Sequence, residues 1–144
     1  MEFRGAKDFR DLEVWKWCRE LRRDIERLCR GLPRDEQRRL GDQMIRAARS
    51  VTANLAEGIG RYHYLETIQS CRMARGSLYE LLDHLQVAAD NSYLKASEFK
   101  AYDERIRSAS RLLNGFVRYL RERRDGAGDR RRVPARSTDK PINR

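Results

Sequence analysis

Apolar residues recur along most of the chain at alternating steps of three and four, which is the spacing of one face of an α-helix. Four such stripes can be traced. The first is Val14, Cys18, Leu21, Ile25, Leu28 and Leu32, and the second is Leu40, Met44, Ala47, Val51 and Leu55. The third is Ile68, Cys71, Ala74, Leu78, Leu81, Leu85 and Ala88, and the fourth is Phe99, Tyr102, Ile106, Ala109, Leu113, Phe116 and Leu120. The pattern predicts four amphipathic helices.

Turn residues separate the stripes and indicate where the helices end. Gly31 and Pro33 follow the first stripe, Gly58 and Gly60 follow the second, and a polar stretch at 90–92 follows the third. At 1.5 Å per residue each helix would be roughly 30–40 Å long, and helices of matched length with short links pack side by side. The sequence therefore predicts an all-α fold, an antiparallel up-down four-helix bundle.

The chain of 144 residues is long enough for one domain with a single core. We assign residues 8–124 to the bundle. From Asp125 onward the apolar periodicity is lost, and glycine, proline and arginine become frequent. This composition predicts a flexible basic tail over residues 125–144.

The charge of the chain is strongly positive. It has 32 lysine and arginine residues against 22 acidic ones, a net charge of +10, and 27 of the basic residues are arginine. Such a potential attracts polyanions, and arginine suits bidentate phosphate contacts. A GC-rich genome also favours arginine codons, so composition alone leaves both explanations open.

Neither an N-terminal apolar segment nor an uncharged run of about 18 residues occurs in the sequence. We therefore expect a cytoplasmic protein without membrane contact. Three cysteines, Cys18, Cys29 and Cys71, lie within the apolar stripes. Their odd number and apolar neighbours predict buried free thiols, not a disulfide framework.

Basic residues also follow helical spacing. In the first helix a cationic stripe is predicted from Lys16, Arg19, Arg23, Arg27 and Arg30, with Arg22 beside it. Further candidates for phosphate contact are Arg46 and Arg49 in the second helix, Arg61 in the following link, and Arg107, Arg111, Arg118 and Arg121 in the fourth. The alternative is a solvated face on which Glu20, Asp24 and Glu26 pair with the cations. The excess positive charge favours binding.

Two lines of polar residues flank the second and third apolar stripes. Ser50, Asn54 and Glu57 form the first line, and Ser77, Glu80 and His84 form the second. Polar groups at the edge of a core need partners, because an unsatisfied one costs about 1–3 kcal/mol. Three interpretations are open: a boundary network that fixes helix register, a subunit interface, or a ligand site.

Catalysis is not expected from this sequence. A di-iron site in a helical bundle needs two Glu-x-x-His motifs, whereas the two histidines, His63 and His84, do not lie three residues after a glutamate. We predict no catalytic residues, no metal and no cofactor. The link around Arg61 also contains Tyr62 and Tyr64, which can stack on bases or simply cover the end of the bundle.

Three segments resemble a known family. They are "FRDLEVWKWC" at 9–18, "QMIRAARSVTANLAEGIGR" at 43–61 and "ARGSLYELLDHL" at 74–85. Together they are similar to the four-helix bundle proteins encoded in intervening sequences of 23S ribosomal RNA genes. That superfamily also includes the accessory variability determinant of diversity-generating retroelements, and the resemblance covers roughly residues 9–124.

The resemblance implies a homo-oligomer, a pentameric barrel of bundles with a basic surface or pore, without catalytic activity and with nucleic-acid binding. Members often have a proline in the second helix where this chain has Ala53. We therefore expect a straighter second helix here.

Three functional hypotheses follow from the residues and the resemblance. The first is an oligomeric module that binds RNA or DNA through arginine–phosphate contacts, without strong base readout. The second is an accessory subunit whose main partner is the reverse transcriptase of a diversity-generating retroelement. The third is a structural bundle that does not bind nucleic acid.

Overall fold

The computed structural model of the chain describes residues 5–130. Within this range it contains four long helices and no strand: α1 (Glu13–Arg30), α2 (Asp42–Gly60), α3 (Tyr64–Asp90) and α4 (Ala96–Arg130). A short 3₁₀ turn precedes α1. The prediction of an all-α, four-helix fold is confirmed.

The four helices form a closed ring in which each packs against two neighbours. Contacts join α1 to α2, α2 to α3, α3 to α4, and α4 back to α1. Two contacts show that α2 and α3 run in opposite directions. Thr67 Oγ1 donates to the Gly58 carbonyl at 2.9 Å beside the link, and farther along Ser50 Oγ lies 2.9 Å from Ser77 Oγ. The bundle is antiparallel, as the short links predict.

The stripe residues form one core, as their periodicity predicts. The largest fully buried side chains include Leu21, Ile25, Met44, Leu55, Leu78, Leu81, Leu85, Ile106, Leu113 and Leu120. All three cysteines are buried free thiols, which confirms that prediction. Burial raises the pKa of the Cys18 and Cys71 thiols to about 12 and that of Cys29 to about 11. These thiols are therefore protonated and unreactive at neutral pH.

The link between α1 and α2 is more helical than the sequence predicts. A single turn at Arg34–Glu36 leads into a π-helical segment, Gln37–Gly41, that continues into α2. The Gln37 side chain donates to the carbonyls of Arg30 at 3.1 Å and Leu32 at 2.9 Å. The bond to Arg30 satisfies a carbonyl that the end of α1 leaves without an intrahelical partner, and the bond to Leu32 holds the link itself.

The second predicted stop needs a correction. We expected the helix to end at Gly58 and Gly60; it does end at Gly60, whereas Gly58 lies inside α2 and is buried. A Cβ atom on Gly58 would overlap the side chain of Ser70 on α3 and lie 3.4 Å from the Cα of Thr67. The missing side chain of Gly58 thus lets α2 and α3 approach closely. Helix α2 is continuous through Ala53.

The last helix extends farther than predicted. Helix α4 runs through Arg130, so Asp125–Arg130 are helical although they have no apolar stripe. Once a helix is nucleated, each added residue gains a backbone hydrogen bond, and propagation past the last core contact at Leu120 is favourable. The remainder of the predicted tail, 131–144, lies outside the described residues. Across residues 5–130, no helix combines the length and apolarity needed to cross a membrane.

Candidate functional site

The cationic stripe of α1 lies on the exposed face of that helix, but much of its charge is compensated. Lys16 Nζ lies 3.7 Å from Glu13, Arg23 lies 3.6 Å from Glu20, and Arg27 lies 2.9 Å from Asp24. All are pairs three residues apart on one helix face. For these three cations the structure therefore fits the solvated-face alternative better than a row of free phosphate ligands.

Three other arginines of α1 have different surroundings. The Arg19 guanidinium lies over the Trp15 ring at 5.9 Å from its centre. Arg22 is half-buried, and its Nη1 donates to Thr52 Oγ1 on α2 at 2.9 Å. Arg30 is exposed and forms no ion pair within the described residues. Arg22 thus links two helices, and within residues 5–130 only Arg19 and Arg30 of the stripe lack an acidic partner.

In α2 and the link that follows it, most predicted cations are also paired. Arg49 binds Glu26 of α1 at 2.9 Å, and Arg61 lies 2.8 Å from Glu57 and 3.9 Å from Glu66. Arg46 is exposed and has no acidic partner in the described part of the chain. Glu26 was expected to support the stripe on its own helix, and it instead connects α1 to α2.

The aromatic rings near Arg61 differ in exposure. Tyr62 is 66% exposed and has a positive φ of 53°, whereas Tyr64 is half-buried and packs against the core. Of these two tyrosines, only Tyr62 is therefore well placed to stack on a base.

The predicted cations of α4 form two groups that differ in position along the helix and in their partners. Nearer its start, Arg107 binds Asp103 at 2.9 Å and Arg111 donates to Ser108 Oγ at 2.9 Å. Nearer its end, Arg118 and Arg121 are exposed and form no ion pair among the residues that the structure describes. Of the four predicted cations of α4, only Arg118 and Arg121 therefore form neither an ion pair nor a hydrogen bond within residues 5–130.

That second half of α4 faces two arginines of α3 that sequence analysis did not select. Arg72 and Arg75 of α3, with Arg118 and Arg121 of α4, line a groove of about 390 Å³. We call it the arginine groove; its other lining residues are Cys71, Leu113, Asn114 and Val117. None of the described residues that line the groove is acidic. The spacing of Arg72 and Arg75 was visible in the sequence, but their position opposite Arg118 and Arg121 depends on the register of two helices.

The two predicted polar lines meet in part. Ser50 Oγ and Ser77 Oγ share a hydrogen bond of 2.9 Å, and Asn54 Nδ2 donates to the Ser50 carbonyl at 2.9 Å and to Ser50 Oγ at 3.0 Å. These three residues form the boundary network that was one of the three interpretations. The two bonds from Asn54 to Ser50 explain why α2 tolerates an asparagine beside its apolar stripe.

The other members of the polar lines do not join that network. Glu57 pairs with Arg61, and Glu80 lies 3.3 Å from His84 Nε2, each within its own chain segment. Within residues 5–130, no group of three or more His, Cys, Asp or Glu side chains could hold a metal ion.

An exposed apolar strip runs along the outer face of α3. Leu65, Met73 and Val87 are 53%, 53% and 38% exposed. At 100° per residue their directions fall within an arc of about 80°. Gly76 lies within the same arc, with open space where its side chain would be. Exposed Gln69, Glu80 and Asp83 lie in the same arc, so the strip consists of three separate apolar positions, about 12 and 21 Å apart along the helix axis.

The fold and its surface define a class of protein: an antiparallel four-helix bundle with a buried apolar core and an arginine-rich exterior. Residues 10–115 match the sequence model of the 23S rRNA-intervening sequence protein. The chain belongs to this family, as the resemblance indicated.

The fold is shared with a solved structure. The crystal structure of a protein with unknown function from the S23 ribosomal protein family of Bacteroides thetaiotaomicron VPI-5482, at 1.70 Å resolution, superposes with a TM-score of 0.66. The match covers 72% of this chain and 97% of that chain at 19% sequence identity, so it shows a common fold. A comparison with curated proteins found no significant match.

Proposed function

We propose that the protein is a non-enzymatic, basic bundle that binds RNA or DNA through arginine–phosphate contacts in the cytoplasm. The observation behind this proposal is the set of exposed arginines that have no acidic partner among the described residues, chiefly Arg46, Arg72, Arg118 and Arg121. An isolated guanidinium is available for a phosphate, whereas a paired one must first leave its carboxylate. Contacts of this kind give affinity without base sequence preference.

The direct test is the salt dependence of binding. Fluorescence anisotropy with labelled single-stranded RNA, single-stranded DNA and duplexes of unrelated sequence should give similar affinities for a given strand type. Four phosphate contacts would give a slope of log affinity against log salt of about −3. Absence of binding at low salt and micromolar protein would contradict nucleic-acid binding and leave the basic surface to a protein partner, such as a reverse transcriptase.

The cationic stripe of α1 can be tested separately with R19Q/R23Q/R27Q. From spacing alone, three phosphate contacts would flatten the salt slope by about 2. Because Arg23 and Arg27 are already paired with Glu20 and Asp24, we expect a decrease below about 1 in the same anisotropy titrations. Stability should change by no more than about 0.5 kcal/mol per site, since the positions are exposed. A decrease of about 2 in the salt slope would show that the stripe contacts phosphates despite its ion pairs.

We also propose that the bundle assembles into a homo-oligomer, a pentamer as the family resemblance implies. The support from this chain is the apolar strip formed by Leu65, Met73 and Val87 on α3. Burying such side chains between subunits stabilises an assembly by roughly 25 cal/mol per Å² of apolar surface.

Native mass spectrometry should detect five subunits for the unmodified protein. Met73→Glu should shift the population to monomers, because burying a carboxylate without a partner is unfavourable. Leu112→Glu is the matched control, since Leu112 is 38% exposed on α4 and lies away from the strip. A monomeric native protein at micromolar concentration would contradict the assembly, and an intact oligomer in Met73→Glu would move the interface elsewhere.

A further inference from the structure

The arginine groove brings four positive charges to one concave surface. Arg72 and Arg75 are three residues apart on α3, and Arg118 and Arg121 are three residues apart on α4, so each pair lies on one side of its helix. All four side chains are exposed. The two pairs face each other across the line where the helices pack.

Nothing in the described lining compensates this charge. Arg75 Nη1 donates to Asn114 Oδ1 at 2.9 Å, which orients its guanidinium across the groove. Arg72, Arg118 and Arg121 form no hydrogen bond or ion pair with described residues. By contrast, Arg27, Arg49 and Arg107 each lie 2.9 Å from a carboxylate. A concave surface with charge of one sign focuses its potential and concentrates ions of the opposite sign.

The dimensions and the chemistry of the groove fit a phosphate chain. The part of the groove formed by α4 runs from Asn114 to Arg121, which is about 10 Å at 1.5 Å per residue. Roughly three successive phosphates of one strand occupy the same axial length. Guanidinium groups bind phosphate oxygens in a bidentate manner. Buried Leu113 and Val117 form an apolar floor between the arginines.

We propose that the arginine groove binds successive phosphates of a nucleic-acid strand, and that this groove, not the cationic stripe of α1, is the main contact surface. The inference rests on the proposed function and assigns it to a specific site. In the bound state Arg72, Arg118 and Arg121 contact phosphate oxygens, while Arg75 is held in place by Asn114.

The test compares two double variants with the same change in charge. Arg72→Gln with Arg118→Gln removes two groove cations, and Arg34→Gln with Arg38→Gln removes two exposed cations without ion pairs from the region between α1 and α2. For the full chain with a short labelled RNA strand, the groove variant should lose about tenfold in affinity and flatten the salt slope by about 1.5. The control variant should change less than about threefold, through the long-range field alone.

The possible results separate the two proposals. If the unmodified protein does not bind RNA, both the proposed function and the groove assignment fail. If it binds and both variants weaken equally, only the groove assignment fails. A parallel titration with inorganic polyphosphate distinguishes the source of the phosphates: loss of polyphosphate binding with unchanged RNA binding in the groove variant would overturn the nucleic-acid assignment. Melting curves that superpose for both variants show that neither effect comes from unfolding.

Discussion

Replacing Gly58 with alanine is expected to lower the free energy of unfolding by about 2–3 kcal/mol, although alanine has the higher helix propensity. In an open helix the same change gains up to about 1 kcal/mol. Here the added Cβ atom would overlap the Ser70 side chain, whose own Cβ is fixed to the backbone of α3. Overpacking of a tight contact typically costs about 1–3 kcal/mol. The displacement would also strain the hydrogen bond from Thr67 Oγ1 to the Gly58 carbonyl.

Gly115→Ala is the matched control for this prediction. Gly115 lies inside α4, and an added Cβ would meet nothing within 4 Å. We therefore expect this variant to be more stable than the unmodified protein by about 0.5–1 kcal/mol. Chemical denaturation at one fixed protein concentration measures both variants, because assembly would make stability depend on concentration.

A second substitution can relieve the predicted overlap. Ser70→Gly removes the atoms that an alanine at position 58 would meet, at the cost of about 1 kcal/mol for a glycine within α3. In a double-mutant cycle, the pair should be more stable than the sum of the single changes by about 2 kcal/mol. Additive effects, or a Gly58→Ala variant as stable as the unmodified protein, would show that the two helices can separate at little cost.

This position shows what the sequence could not provide. A glycine in a helical pattern serves either as a helix stop or as a point of close approach, and the sequence pattern is the same in both cases. We assigned Gly58 and Gly60 together to a stop, whereas the structure separates them into a contact and a helix end. Only the position of Ser70 on the neighbouring helix distinguishes the two uses.

The core of the fold, in contrast, was predictable from periodicity alone. Stripe residues such as Ile25, Leu78 and Ile106 are fully buried, because any four amphipathic helices of this length must turn these faces inward. The π-helical segment at Gln37–Gly41 was not predictable, since neither a π-helical turn nor the bond from Gln37 to the Arg30 carbonyl is visible in the apolar pattern. The length of α4 was underestimated because a helix end on the surface needs no apolar residue to form.

The candidate site was predictable only in part, for a similar reason. Spacing on one helix selected Arg23 and Arg27 correctly as exposed and named Glu20 and Asp24 as possible partners, but it could not decide between ion pairs and free cations. It also gave no indication of the arginine groove, which requires the register between α3 and α4. A boundary network between the two polar lines was one of three interpretations of the sequence. The packing of α2 against α3 shows that Ser50 and Ser77 form such a contact.

The largest loss of stability is expected for Leu81→Ala. Leu81 is fully buried in α3, and removing three side-chain carbons there forfeits apolar transfer energy and leaves a cavity. Such changes cost about 2.7–5 kcal/mol in a well-packed core, so we expect about 3–4 kcal/mol by urea denaturation at fixed protein concentration. Leu112→Ala is the control with the same chemistry, because Leu112 is 38% exposed on α4, and it should lose less than about 1 kcal/mol.

The same variant separates stability from binding. Leu81 does not line the arginine groove, so the folded fraction of Leu81→Ala should retain the unmodified affinity for RNA and the same salt slope. Below its unfolding transition, an anisotropy titration of this variant should therefore overlay that of the unmodified protein. If the free energy of unfolding of Leu81→Ala falls by less than about 1 kcal/mol, the core must repack around the cavity. A change in salt slope without unfolding would mean that the core positions the groove arginines, which would couple packing between α3 and α4 directly to phosphate binding.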